Sequence, residues 1–194
     1  KIEPAPSDDG AAKTKKHPQS FKTLWTNPPK KPSKAPPSAD FSGETAAELT
    51  NKYNNLVVVG TFSKSRGMAG ARLGYIITSV ELAADIEKVK FSINPYNVNS
   101  LTQATGTAVL KADDYYKSAV AEICETRERF SESLRKIGFE VIPSSTNFVF
   151  AKHPTVSGKY ITNELRNRKI LIRRFDNERI SEYIRVTIGT PQQM

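Results

Sequence analysis

Thr61-Phe62-Ser63-Lys64-Ser65-Arg66-Gly67-Met68-Ala69-Gly70-Ala71-Arg72-Leu73-Gly74-Tyr75 is the densest chemical stretch of the chain. It gathers hydroxyls, a lysine and arginines around glycines, and it lies between two segments that read as strands. Upstream, Leu56-Val57-Val58-Val59 is a β-branched run that predicts a short buried strand. Downstream, residues 73–77 predict a second. Glycines let backbone N–H groups approach a ligand closely. Ser and Thr hydroxyls with an arginine fork suit a phosphate. A lysine held beside a cationic group and partly desolvated loses affinity for its proton and can condense with an aldehyde. Composition alone favours a plainer reading, a Gly-rich loop with Lys64, Arg66 and Arg72 in solvent.

Moving outward, Thr78-x-x-Glu81 matches a capping box, opening a helix with Leu82, Ile86 and Val89 on one face. Residues 91–99 read as a polar, proline-containing connection and 100–111 as a helix. Tyr116, Val120, Ile123, Phe130, Leu134 and Ile137 recur at spacings of three and four, with Arg127 filling the one gap. They predict an amphipathic helix with Gly138 as its C′ residue. Residues 139–142 and 147–151 read as strands joined by Pro143-Ser144-Ser145. A helix over 156–168 and strands over 170–173 and 183–188 follow. Strands alternating with helices argue an α/β or α+β class.

The chain has 194 residues and a formal net charge of +9. Its length can bury a core. No apolar run approaches the roughly 18 residues of a membrane span, and no signal-peptide h-region is visible. One cysteine, Cys124, excludes an internal disulfide framework. With only His17 and His153 as imidazoles, no metal site is expected. A reduced, cytoplasmic compartment fits these counts. Residues 1–40 hold 8 lysines, 4 acids and 8 of the 12 prolines. Few apolar groups there offset the ordering entropy, so residues 1–38 are expected to form a disordered basic tail. As a nucleic-acid arm the tail is poorly equipped, since Phe21 and Trp25 are its only aromatics.

Residue order adds what composition lacks. Thr61-Phe62-Ser63-Lys64, followed eight residues later by Arg72 in Ala-Gly-Ala-Arg-Leu-Gly-Tyr, resembles the cofactor-lysine segment of fold-type I pyridoxal-phosphate enzymes. The histidinol-phosphate aminotransferase family is the nearest match. Asp40-Phe41-Ser42-Gly43-Glu44 and Asn55-Leu56-Val57-Val58 resemble that family's approach to the lysine. So do Pro95-Tyr96-Asn97-Val98-Asn99, Ser145-Thr146-Asn147-Phe148 and the late arginine segments around Arg173 and Arg185 with their family counterparts. The likeness spans about residues 39–194.

The resemblance implies an α/β fold: the C-terminal part of a fold-type I transferase. Residues 39–113 would be a partial cofactor-binding large domain and 114–194 a small domain. It implies pyridoxal phosphate on Lys64, with Thr61, Ser63 and Arg72 holding the cofactor phosphate. Arg185 would pair with the α-carboxylate of glutamate or 2-oxoglutarate, a bidentate task that lysine cannot copy. Arg173 would meet the phosphate of histidinol phosphate, with Tyr96 and Asn99 as further substrate contacts. Tyr96 could equally pack, and Asn99 could cap the following helix. Arg174 reads as a solvated neighbour. A homodimer is a family expectation.

The chain departs from the family upstream. Where the family carries Asp-Glu-Ala-Tyr, with the Asp on the cofactor ring nitrogen, residues 35–38 read Ala-Pro-Pro-Ser. A truncated, frameshifted or fused gene is expected, with little transaminase activity in this chain alone and an apolar strand edge at residues 56–59. The same lysine and arginine pattern would serve a threonine-phosphate decarboxylase or an aromatic aminotransferase. A basic binding module and a non-catalytic remnant are the readings from other classes.

Overall fold

The computed structural model describes residues 41–43 and 45–194; the basic segment 1–38 lies outside them. The described residues belong to one compact unit, Lys34–Met194. Two antiparallel sheets organise it. The first pairs β1 (Val58–Thr61) with β2 (Gly74–Ile77). Three helices follow: α1 (Val80–Ile93), α2 (Ser100–Lys111) and α3 (Asp113–Lys136). The second sheet contains β3 (Glu140–Ile142), β4 (Phe148–Lys152), β5 (Arg173–Arg174) and β6 (Ile184–Thr187), in the order β3-β4-β6-β5. Helix α4 (Gly158–Asn167) connects β4 to β5.

The second sheet obeys the two-residue period of a strand. On β4, Val149 and Ala151 have no exposed surface and cluster with Leu134 of α3 and with Ile188. Ile123 and Phe130 of α3 pack against the same cluster, so the middle of the apolar stripe read from the sequence meets the sheet, whereas Tyr116 packs with Phe62, Met68 and Val109, and Ile137, at the C-cap, is 65 % exposed. Arg127 interrupts the stripe, yet it is buried, because its Nη1 donates to the Thr146 carbonyl at 2.8 Å. Gly138 stands just beyond the α3 C-cap at φ +94°, the left-handed conformation that glycine adopts without a Cβ penalty.

The first sheet differs from the expectation of a buried strand. Strand β1 starts two residues late, and Val59 is 71 % exposed. Among the described residues β1 pairs with β2 alone. The run's β-branched residues favour extension, but burial needs a neighbouring layer on both faces. The cap of α1 also shifts. Ser79 accepts from Leu82 N–H at 3.3 Å, while the Thr78 hydroxyl donates to the Leu56 carbonyl at 2.6 Å. Helix α1 runs on to Ile93, into the segment read as a connection, and the strand read at 170–173 contracts to Arg173–Arg174. No helix among the described residues is long and apolar enough to cross a membrane.

Candidate active site

The turn between β1 and β2 holds Lys64. Antiparallel pairing sets Thr61 opposite Gly74, and Phe62 N–H donates to the Leu73 carbonyl at 3.1 Å. The chain leaves this ladder at Phe62 and rejoins it at Leu73. Two backbone bonds close the turn: Gly67 N–H to the Lys64 carbonyl at 3.1 Å and Met68 N–H to the Phe62 carbonyl at 3.0 Å. Phe62 and Met68 are buried with Val109 of α2, and Tyr75 meets Phe62 edge-on with ring centroids 5.9 Å apart. Gly60 makes this possible, since a Cβ there would stand 2.0 Å from the Tyr75 ring. The apolar residues face inward, and Lys64 at the turn is exposed rather than desolvated.

Two hydroxyls stand beside the lysine. Thr61 Oγ1 donates to Ser63 Oγ at 2.8 Å and accepts from Ser63 N–H at 3.1 Å. Arg72 stands further along the same connection, as the C-cap of a short 3-10 turn at Ala69–Ala71 that precedes β2. Its backbone is left-handed at φ +53°, unusual for a residue with a Cβ and a recurrent mark of functional sites. Its Nη1 donates to the Ala69 carbonyl at 3.4 Å. Thr61, Ser63, Lys64 and Arg72 thus lie along one connection between β1 and β2, with Thr61 and Ser63 bonded to each other.

The two late arginines form a second group on the other sheet. Arg173 and Arg185 are register partners across β5 and β6, and Arg185 is also opposite Phe150 of β4. Strand alternation puts them on the face away from Val149, Ala151 and α3. Like charges directly opposite are destabilising unless something offsets them. Aromatic rings do part of this. The Arg185 guanidinium carbon is 5.2 Å from the Phe148 ring centroid and 5.8 Å from that of Phe175, and Arg173 is 5.1 Å from Phe175. Arg185 Nε is buried without a hydrogen-bond partner. An orphaned charged donor costs on the order of 1–3 kcal/mol, which a carboxylate or phosphate oxygen would relieve.

Tyr96 and Asn99 join neither group through a side-chain contact. Tyr96 is 89 % exposed, so it does not pack. Asn99 Oδ1 accepts from Thr102 N–H at 2.8 Å and caps α2. Arg174 is not the solvated neighbour read from the sequence. Its Nε donates to the Ser181 carbonyl at 2.7 Å and its Nη1 meets Asp176 at 2.6 Å.

The sequence model for aminotransferase class I and II matches residues 35–194. This chain belongs to the class I and II aminotransferase family. It is 45 % identical over 155 residues to the histidinol-phosphate aminotransferase of Chromohalobacter salexigens, an overlap of 80 % of this chain and 44 % of the relative. The chain thus spans less than half the length of the curated relatives it matches. The crystal structure of the histidinol-phosphate aminotransferase from Clostridium acetobutylicum superposes with a TM-score of 0.68 at 30 % identity, over 79 % of this chain and 48 % of that one. The Sinorhizobium meliloti histidinol-phosphate aminotransferase, solved in complex with pyridoxal-5'-phosphate, gives 0.66 at 25 % identity, over 78 % and 42 %.

Arg66 is not the solvated loop cation that composition suggests: it is 3 % exposed, and its Nη2 meets Asp113 Oδ1 at 2.9 Å. The partner lies 47 positions away, a separation at which no local spacing rule operates. Asp113 Oδ2 also takes Lys117 Nζ at 2.8 Å. The bond from Lys117, helped by Arg66 and opposed by burial, holds the Asp113 carboxyl down to about 2.

Proposed function

We propose that this protein serves a pyridoxal-phosphate-dependent aminotransferase reaction, exchanging an amino group between histidinol phosphate and 2-oxoglutarate or glutamate in histidine biosynthesis, with little turnover by this chain alone because residues 35–38, Ala-Pro-Pro-Ser, offer no aspartate to the cofactor ring nitrogen. One observation carries the proposal. The exposed Lys64 shares the β1–β2 connection with the mutually bonded Thr61 and Ser63 hydroxyls, and Arg72 stands on the same connection just before β2. These groups fit the two ends of pyridoxal phosphate: an amine for the aldehyde, and hydroxyls with a guanidinium for the phosphate. When bound, the cofactor supplies the electron sink for the substrate α-carbon.

The chain's own residues would supply the rest. Lys64 Nζ would hold the cofactor and, as a free amine, would carry the proton taken from the substrate α-carbon. Thr61, Ser63 and Arg72 fix the phosphate and so the cofactor's orientation. Arg185 offers its buried Nε edge to an α-carboxylate. Arg173, its cross-strand partner, takes the distal anion: the phosphate of histidinol phosphate or the side-chain carboxylate of glutamate. Both substrates carry the negative charge that this arginine pair lacks. Tyr96 is open to a substrate, whereas Asn99 has only its amide N–H groups left to offer.

The same proposal divides the chain into a cofactor part, 39–113, and a small domain, 114–194, and makes it a cytoplasmic homodimer. The exposed Ile93, Tyr96 and Leu101 support a partner surface. The test is chemical. The chain is incubated with pyridoxal phosphate, reduced with borohydride, digested and read by mass spectrometry. The adduct is expected on Lys64. An adduct spread evenly over other lysines, or absent, overturns the proposal.

A further inference from the structure

The geometry points to Arg66 as the positioning residue for Lys64: through Asp113 it clamps the lysine turn to the first turn of α3. This rests on Lys64 being the reactive amine. The backbone bonds of the turn, Gly67 N–H to Lys64, Met68 N–H to Phe62, Ala71 N–H to Met68 and Phe62 N–H to Leu73, run among residues 62–73 themselves, so side chains must tie it to α3, and Lys64 itself projects into solvent. Arg66 is two residues from Lys64 and runs the other way, into the protein. Its guanidinium reaches Asp113 at 2.9 Å and lies 5.5 Å from the Tyr116 ring centroid. Asp113, Tyr116 and Lys117 fall at i, i+3 and i+4, so they share one face of α3.

Burial decides the strength of this contact. An exposed ion pair contributes little, but removing one member of a buried pair strands a charge away from water. Arg66 is buried and Asp113 has only a quarter of its side chain exposed, whereas Lys117 is 42 % exposed. The Arg66–Asp113 bond is therefore the one whose loss the turn should feel, and the Lys117–Asp113 bond the one it should not. The clamp also joins the turn to the helix whose later residues, Phe130 and Leu134, pack on the arginine-bearing sheet. A lysine fixed to α3 is fixed to the same rod that carries that sheet.

The test uses amide hydrogen exchange on the full chain, which needs no cofactor. Arg66→Met and Asp113→Asn should each speed exchange at Gly67 and Met68 about tenfold or more, while Val149 and Ala151 stay within about twofold. Arg66→Lys, which keeps the charge, should recover most of the protection, and Lys117→Met should leave it unchanged. A second arm measures borohydride trapping of pyridoxal phosphate at residue 64, expected to slow about tenfold in Arg66→Met and Asp113→Asn and to recover in Arg66→Lys. Unchanged exchange at Gly67 and Met68, or equal acceleration at Val149 and Ala151, overturns the clamp. If Arg66→Met does not fold, Asp113→Asn set against Lys117→Met decides: equal effects overturn it, and an effect of Asp113→Asn alone sustains it. Normal exchange behaviour with no trapping in the unsubstituted chain sinks the cofactor proposal and leaves the clamp standing.

Discussion

The lysine turn and the arginine pair are held by different physics. Arg173 and Arg185 stand on a four-stranded sheet whose opposite face buries Val149 and Ala151 completely against α3. Lys64 stands on a two-stranded ribbon in which no β2 residue is buried. Two strands alone are marginal in water. The ribbon is supported from outside, by Phe62 and Met68 against Val109 and by the Arg66–Asp113 bond. The arginines are fixed by packing, the lysine by a few anchors and one buried charge pair. Reactive groups drawn from the less stable part of a fold are common where a residue must let go of one partner to work on another.

The comparison can be broken most simply at the lysine. Lys64→Ala should abolish trapping at that position with no change in thermal midpoint, because an exposed side chain is removed. A large fall in the midpoint would show that the turn contributes to the core. Leu134→Ala is the opposite experiment. It should destabilise the chain by about 2–5 kcal/mol, with exchange accelerating at Val149 and Ala151 more than at Gly67 and Met68. Equal acceleration would make the two regions one cooperative block.

Acid probes Asp113, which Lys117 first and Arg66 with it hold ionised. Asp113 is held near 2 when folded, below an unperturbed aspartate at 3.8, so the unfolded chain binds more protons between these values. Its contribution, on the order of 2 kcal/mol, is present above pH 4 and fades as pH falls toward 2. In Asp113→Asn that part of the acid sensitivity should vanish from denaturant midpoints measured across the window. The smallest effect is expected at Asn99. Asn99→Ala removes the α2 cap and should cost about 1 kcal/mol, read as faster exchange at Thr102. An unchanged Thr102 would mean that α2 is held by Val109 alone.

Much of this was legible beforehand where the signal is local. The stripe from Tyr116 to Leu134 names the helix and its inward face, because a 3.6-residue period leaves few alternatives, while Ile137 falls at the exposed C-cap. Gly138 marked its end. The order of Thr61, Ser63, Lys64 and Arg72 was enough to single out the turn. Boundaries that depended on competing hydroxyls were misread: Thr78 and Ser79 are both plausible caps, and Thr78 is drawn off by the Leu56 carbonyl. Val59 looked buried because a β-branched run carries no information about whether a second layer covers it.

Residue types and their order along the chain set which groups are available: an amine among hydroxyls and glycines, two arginines on late strands, an apolar stripe for one long helix. Such features depend only on neighbours within a few positions. The fold alone chose their company. It paired Arg173 with Arg185, buried the Arg185 Nε without a hydrogen-bond partner, and joined Arg66 to an aspartate far along the chain. A guanidinium is tolerated inside only where a counter-charge, a carbonyl or aromatic rings receive it, and their arrival is a property of packing in three dimensions.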